Sequence, residues 1–545
     1  MSPRPVGSRT ARAVWSDFCA VAPSPELRDR IRSNLDRIRE TNPDYADLLA
    51  PARPPHPLGF DDGTMFPPSY YPAGTPAATI RGAGAERAPL QGDVRVIVIL
   101  LDFPDKAMTA TTQHFEDLFF SKNTLPYGSV REYYEEVTNG KVTLTGDVVG
   151  PLRMPRTLAW YANNNHGIGQ PSGEPRAFIM AKDAAVKADP LVDFAPFDND
   201  GNGYVDAFVL VHAGKGGEVT GNRGDLWSHK WNLWPTEYSA DGTRIFTYLT
   251  IPEDAKIGVS AHELGHLLFG LPDLYDDDYT SEGVGNWCLM GGGSWGGGGD
   301  IPTHPSAWCK AQQKWVTTKN VTAAGTLSLP DVKSSFEVHR VWKDGLGGKE
   351  YFLLENRQQT GYDKSMPAAG LCLWHVDESQ ADNKDEHHYM VGLMQADGNR
   401  DLEQGANRGD KGDPYPGNTG NTAFTSTSNP SSHSYAGAET GVSITNISAS
   451  APVMTADVSL SPTLAPTPSP AEGVPATSMA PGADTRTEAG FELTGEILEI
   501  QARLAAMEQD LANIAAKVFT PLMATGTPPD PARNAAYSDG RSTPR

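Results

Sequence analysis

AHELGHLLFGLPDLYD, residues 261–276, decides how the rest of the chain is read. His262 and His266 stand four residues apart, with Glu263 beside the first. On a helix, that spacing stacks two side chains on one face, so both imidazoles reach a common point. Imidazole nitrogen suits zinc. Glu263 lies beside the first imidazole, where its carboxylate can hydrogen-bond a water on the metal. Gly265 keeps the helix slim where another segment crosses. Gly270 can take the left-handed conformation that ends a helix, and Pro272 prevents its continuation. The chain then turns back with Asp273 near the site. A catalytic zinc takes three protein ligands and keeps one position open; His262, His266 and Asp273 would supply the three. An amphipathic helix carrying the motif by chance would not account for the glycine stop and the acid beyond it.

The chain has 545 residues, 39% of them hydrophobic and 21% charged, which is a globular composition with room for several domains. Sixty-seven acidic against 45 basic residues give a net charge of −22. A nucleic-acid backbone is therefore excluded as a favoured partner, while hard cations such as calcium are suited. The cysteines Cys19, Cys288, Cys309 and Cys372 form no CxxC pair, which excludes a disulfide framework and a thiolate zinc cluster. No apolar run is long enough to span a membrane, and the N-terminus lacks the apolar core of a secretory signal.

Residues 24–40 read as a short charged helix capped by Ser24 with Pro25 in its first turn. A segment rich in proline and aromatics follows, and its composition predicts an extended stretch draped over the body. Residues 1–88 precede the first core strand and form a candidate pro-segment. Within it, Cys19 could occupy a zinc's open position or be a buried, unreactive thiol. VRVIVILL (94–101) and VDAFVLVHAG (205–214) predict buried strands, GSVREYYEEV (128–137) a helix and KVTLTGDVVG (141–150) a further strand. Residues 89–320 thus read as an α/β or α+β catalytic domain with a mixed sheet. Residues 321–460 carry short strands between Gly, Asp and Pro loops, a mostly β domain. A Pro/Ala/Thr linker covers 461–490. Beyond it, Ile497, Ile500, Leu504, Met507, Leu511, Ile514 and Val518 form a heptad seam within 491–520. This helix would either dock on the body or make a homo-oligomer. Residues 521–545 read as a disordered tail.

About 25 residues after the metal motif, NWCLMGGGSW (286–295) places Met290 in a tight glycine-rich turn. This fits the methionine turn beneath the zinc of metzincins. With VILLDFPD (97–104), SVREYYEEVTNGKVTLTG (129–146), FDNDGNGYVDAFVLVHAG (197–214), LWSHKW (226–231), EYFLLENRQQTGYD (350–363), LCLWHVDE (371–378) and GDKGDPYPG (409–417), the chain resembles the immune inhibitor A family of secreted bacterial zinc metallopeptidases over residues 90–450. The resemblance implies a metzincin-like α+β fold, protein substrates, an extracellular site of action, His262, His266 and Asp273 as zinc ligands, and Glu263 as the catalytic carboxylate. One departure stands out. The family spacing puts the glycine three residues after the second histidine and the acid three later, whereas here they fall at plus four and plus seven. Asp276 is therefore the alternative third ligand. A catalytically silent binding module that keeps the fold is the competing reading, against which the intact Glu263 speaks.

DNDGNGYVD (198–206) places Asp198, Asp200, Asn202 and Asp206 at positions 1, 3, 5 and 9 of a calcium-loop pattern. Gly203 takes the sharp turn and Tyr204 would offer its carbonyl, but Val209 replaces the bidentate glutamate, so this is not a full EF-hand. Such a calcium would be structural. Asp410 and Asp413 could make a further calcium loop or a plain turn. His229 and His375, between aromatic residues, read as packed groups.

Overall fold

The apolar run at 94–101 becomes a central strand, as a sequence buried on both faces should. The computed structural model describes residues 21–41, 60–61, 64–76, 79–80, 89–169, 174–233, 236–276, 279–343, 345 and 347–460. The first sheet uses β1 (Gly92–Asp102), β2 (Val142–Arg153), β3 (Phe208–His212) and β4 (His229–Asn232). After a hairpin of β5 (Tyr238–Ala240) and β6 (Thr243–Ile245), it is completed by β7 (Thr247–Pro252). Its order is β2-β1-β3-β7-β4. The first four are mutually parallel, and β4 closes the edge antiparallel to β7. The sheet is mixed, as expected, although the short strands β4 and β7 have no signature in the sequence reading.

Parallel neighbours require crossovers, which helices supply. The described part of the N-terminus forms α1 (Pro25–Thr41). Between β1 and β2 run α2 (Thr112–Phe120) and α3 (Val130–Val137), capped by Thr111 and Ser129 through backbone amides three residues on. Helix α4 (Ala177–Ala188) crosses from β2 to β3. The quoted motif lies on α5 (Ile257–Phe269), whose residues are all buried. Gly270 ends it in the left-handed region at φ +61. Its amide bonds the His266 carbonyl, the closure of an αL stop, and the Leu271 amide bonds that of Gly265.

The region after 320 is β-rich, as read. Strands β8 (Thr317–Asn320), β9 (Gly325–Pro330), β10 (Glu337–Val341), β11 (Glu350–Arg357), β12 (Gly370–Asp377), β13 (Val391–Leu393), β14 (Val442–Thr445) and β15 (Val453–Leu460) form two sheets, ordered β13-β12-β11-β10-β8 and β14-β15-β9. Strand β8 already belongs to this half. The linker at 461–490, the heptad helix at 491–520, the seam at 497–518 and the tail lie outside the described residues. Among those described, no helix is long and apolar enough to cross a membrane.

Candidate active site

Helix α5 delivers the two imidazoles, and neighbouring backbone carbonyls orient them. His262 Nδ1 pairs with the Leu289 carbonyl at 2.9 Å and His266 Nδ1 with that of Leu271 at 2.5 Å. A carbonyl only accepts, so each Nδ1 carries the proton and each Nε2 presents a lone pair. The Nε2 atoms stand 3.1 Å apart. Asp273 Oδ1 lies 3.1 Å from one and 3.3 Å from the other. The helix stop thus brings Asp273, rather than Asp276, to the histidines. Asp276 Oδ2 instead accepts from Thr280 Oγ1, Ser281 N and Ser281 Oγ at 2.8–2.9 Å, stapling the loop.

The glycines of α5 let other segments approach. A Cβ on Gly265 would stand 2.8 Å from Met290 Sδ, and one on Gly258 1.8 Å from the Ser294 carbonyl. Met290 therefore packs directly against the turn of the helix that carries the two histidines. The turn also supplies the Leu289 carbonyl that orients His262, a role invisible to side-chain reading.

Glu263 is fully buried, and among the described residues no side chain donates a hydrogen bond to either carboxylate oxygen. Burial holds its carboxyl well above the usual range, Asp61, Asp273 and Glu218 add to this, and the Val21 amide opposes it. Burial would raise Asp273 too, but His266 and His262 outweigh it and hold it at about 2. Burial lowers His266, against the pull of Asp273.

The edge strand β4 carries part of the N-terminal segment. The Val21 amide bonds the Ser228 carbonyl at 3.3 Å, and Trp227 Nε1 bonds the Val21 carbonyl at 3.0 Å. The Asp61 and Lys230 backbones are joined at 3.0 Å, and the Lys230 amide bonds Asp61 Oδ1 at 2.7 Å. Asp61, Glu263 and His266 bring ligand atoms within 4.8 Å of one another. Helix α1 is clamped by Arg28 and Arg32, 2.7 and 2.8 Å from Glu282, and Arg28 also bonds the Ser281 carbonyl. Nothing in the local sequence around Asp61 signals this placement, because its partners lie far along the chain.

Asp198, Asp200 and Asp206 converge, their oxygens within 4.8 Å. Asp198 accepts from the amides of Asn202 and Gly203, and Asn202 Oδ1 accepts from the Tyr204 amide. His229 is packed as read, bonding the Trp227 carbonyl and the Tyr248 hydroxyl. His375 is paired with Glu350 at 3.0 Å. Cys288, Cys309 and Cys372 are buried free thiols, while Cys19 lies outside the described residues.

Residues 87–323 match the family described as immune inhibitor A peptidase M6, catalytic domain. The region that carries the site therefore matches a peptidase domain, and the immune inhibitor A resemblance is borne out there. An immune inhibitor A from Bacillus thuringiensis subsp. alesti is 33% identical, with 42% of this chain and 43% of that protein covered. A pre-pro-metalloprotease PrtV from Vibrio cholerae serotype O1 is 32% identical, with 40% of this chain and 29% of that protein covered. The chain spans less than half the length of these curated relatives.

Proposed function

We propose that this chain is a zinc-dependent endopeptidase that hydrolyses peptide bonds of proteins, with Glu263 as general base and then general acid. The observation that carries the reading is the Glu263 carboxylate, fully buried beside three converging ligand atoms, with other carboxylates adding their charge and no described lysine or arginine ion-paired with it. Burying such a group costs stability unless something arrives to engage it. The donor set fits zinc: two neutral imidazoles with Nε2 free and one carboxylate oxygen held near both. When bound by His262, His266 and Asp273, the ion would polarise a water and the scissile carbonyl. Glu263 would take a proton from that water at a carboxylate oxygen and return it to the leaving nitrogen. The low-dielectric surroundings make its carboxyl a strong enough base for this transfer. Strand β4 offers its edge to an extended substrate, which would add as a further strand.

The N-terminal segment occupies that edge, so we read this form as latent, with the pro-segment within residues 1–88. Within that segment, Asp61 brings a carboxylate oxygen within 4.8 Å of ligand atoms of Glu263 and His266. Calcium at Asp198, Asp200, Asn202, Tyr204 and Asp206 would stiffen the entry to β3. An extracellular site of action follows from the same family reading.

Casein hydrolysis by the parent and by Glu263→Ala, with zinc determined in each and residues 1–88 removed if the parent is silent, tests the reading. Activity should vanish in the variant, by about a thousandfold or more, with zinc retained. A parent that holds zinc, lacks residues 1–88 and still cleaves nothing would overturn it in favour of a silent module.

A further inference from the structure

We propose that Asp397, Asp410 and Asp413 form a calcium site that fastens the loop 395–417 to the turn leading into Met290. Their ligand atoms lie within 4.8 Å of one another. Three carboxylates converging in a protein cage suit calcium, whereas magnesium usually keeps several waters and takes only one or two carboxylates. Backbone pairing builds the cluster: the Ala396 amide bonds the Asp413 carbonyl at 2.8 Å and the Asp397 amide that of Gly412 at 3.1 Å. The chain is drawn in so tightly that a Cβ on Gly412 would meet Asp397 Oδ2 at 2.1 Å and Asp410 Oδ1 at 3.0 Å.

The second, independent observation is Asp413 itself. It is 1% exposed, and its Oδ1 has no hydrogen-bond partner, while Oδ2 accepts from Trp287 Nε1 at 2.9 Å and the Asp410 amide at 3.0 Å. Asp397 accepts from Asn399, and Asp410 from the Gly412 amide and from Asn407. No described lysine, arginine or histidine is ion-paired with any of the three, unlike the buried acids elsewhere in this half. Burial, with Asp410 and Asp397 adding their charge, pushes Asp413 up to about 7. Asp401 stands at the rim, sharing Asn407 with Asp410. A hard divalent cation satisfies every one of these groups.

The consequence lies in what the loop touches. The amides of Glu282 and Asn286 bond the Leu402 and Arg408 carbonyls at 2.9 and 2.8 Å. With the Trp287–Asp413 bond, they tie the loop to the segment that enters the methionine turn. A bound calcium would lock the floor of the active site from outside it.

Terbium, a calcium mimic, tests this in the full chain freed of calcium, because the Trp287 indole touches the site and can sensitise it. Trp-excited terbium emission should appear in the parent and be displaced by calcium. Asp397→Asn and Asp410→Asn should each weaken calcium binding at least tenfold and remove one calcium per chain, measured by equilibrium dialysis. Asp200→Asn, in the other acidic loop, should leave the Trp-excited signal intact. Absence of that signal in the parent would overturn the proposal whatever the variants do. So would an unchanged calcium count in a folded Asp397→Asn or Asp410→Asn.

Discussion

Two buried charge clusters lie in the same body and are treated in opposite ways. Around Arg357 every charge is answered: the guanidinium holds Asp363, the Trp287 carbonyl and the His304 carbonyl, and Lys333 stands 3.2 Å from Asp363. Lys310 and Glu355 pair at 2.7 Å nearby, both buried. Around Glu263 the charges of Asp61, Asp273 and Glu218 add to its own, and no described lysine or arginine is ion-paired with it. The first arrangement is scaffold, costly only when broken. The second carries a standing penalty in the ligand-free protein, the signature of a group kept for chemistry.

Metal content sharpens the contrast most. Asp273→Ala should weaken zinc binding by more than about a hundredfold, since even outer-shell partners account for 10–100-fold. Asp276→Ala should leave the zinc content unchanged while loosening the loop that Ser281 and Thr280 anchor. Plasma emission on the two dialysed variants decides it; loss of zinc in Asp276→Ala alone would reverse the ligand assignment.

Arg357→Met probes the compensated side. It takes the guanidinium from buried Asp363 and leaves only the longer Lys333 contact, so unfolding by urea should show a loss of about 3 kcal/mol. A change under about 1 kcal/mol would mean that the cluster is not dry, and the contrast would fail. Between the clusters lies the packing of Gly265 on Met290. Gly265→Ala gains about 1 kcal/mol of helix propensity but forces the methionine away, costing about 1–3 kcal/mol. A net fall in thermal midpoint, larger in the zinc-loaded than in the zinc-free protein, is expected.

What was legible follows the range over which each signal acts. His262, Glu263 and His266 lie within five residues, and helix periodicity alone brings the two imidazoles together. The strands at 92–102 and 208–212 were legible because burial on both faces forces unbroken apolar runs. Strand β4, HKWN, was not, since it is short, polar and fully buried only through tertiary contacts. The third-ligand ambiguity between Asp273 and Asp276 needed the geometry of the helix stop, which spacing does not encode. Asp61 and Asp397 were out of reach because their partners are brought in by chain pairing at long separation.

Glu218 tests the distinction at its margin. It is 1% exposed and lies among the charges acting on Glu263. Only neutral donors reach it: Ser228 Oγ at 2.7 Å and the Ser228 amide at 3.1 Å. Burial raises its carboxyl from 4.5 to about 7, with the Ser228 bonds opposing. Below pH 4.5 both folded and unfolded chains keep this proton, so it has no effect on stability. As pH rises from there to about 7, the unfolded chain ionises first and the folded state loses about 1.4 kcal/mol per unit, with no further loss above. Glu218→Gln cannot ionise, but it introduces an amide whose hydrogens lack acceptors, at about 1–2 kcal/mol. The variant should therefore be the less stable protein at pH 4 and the more stable at pH 8, by on the order of 1 kcal/mol each way. Urea titrations of both proteins at the two pH values measure the crossing. A difference that stays flat with pH would mean that Glu218 shares its charge with solvent or with Glu263, and that unanswered charge extends beyond the residues bound for chemistry.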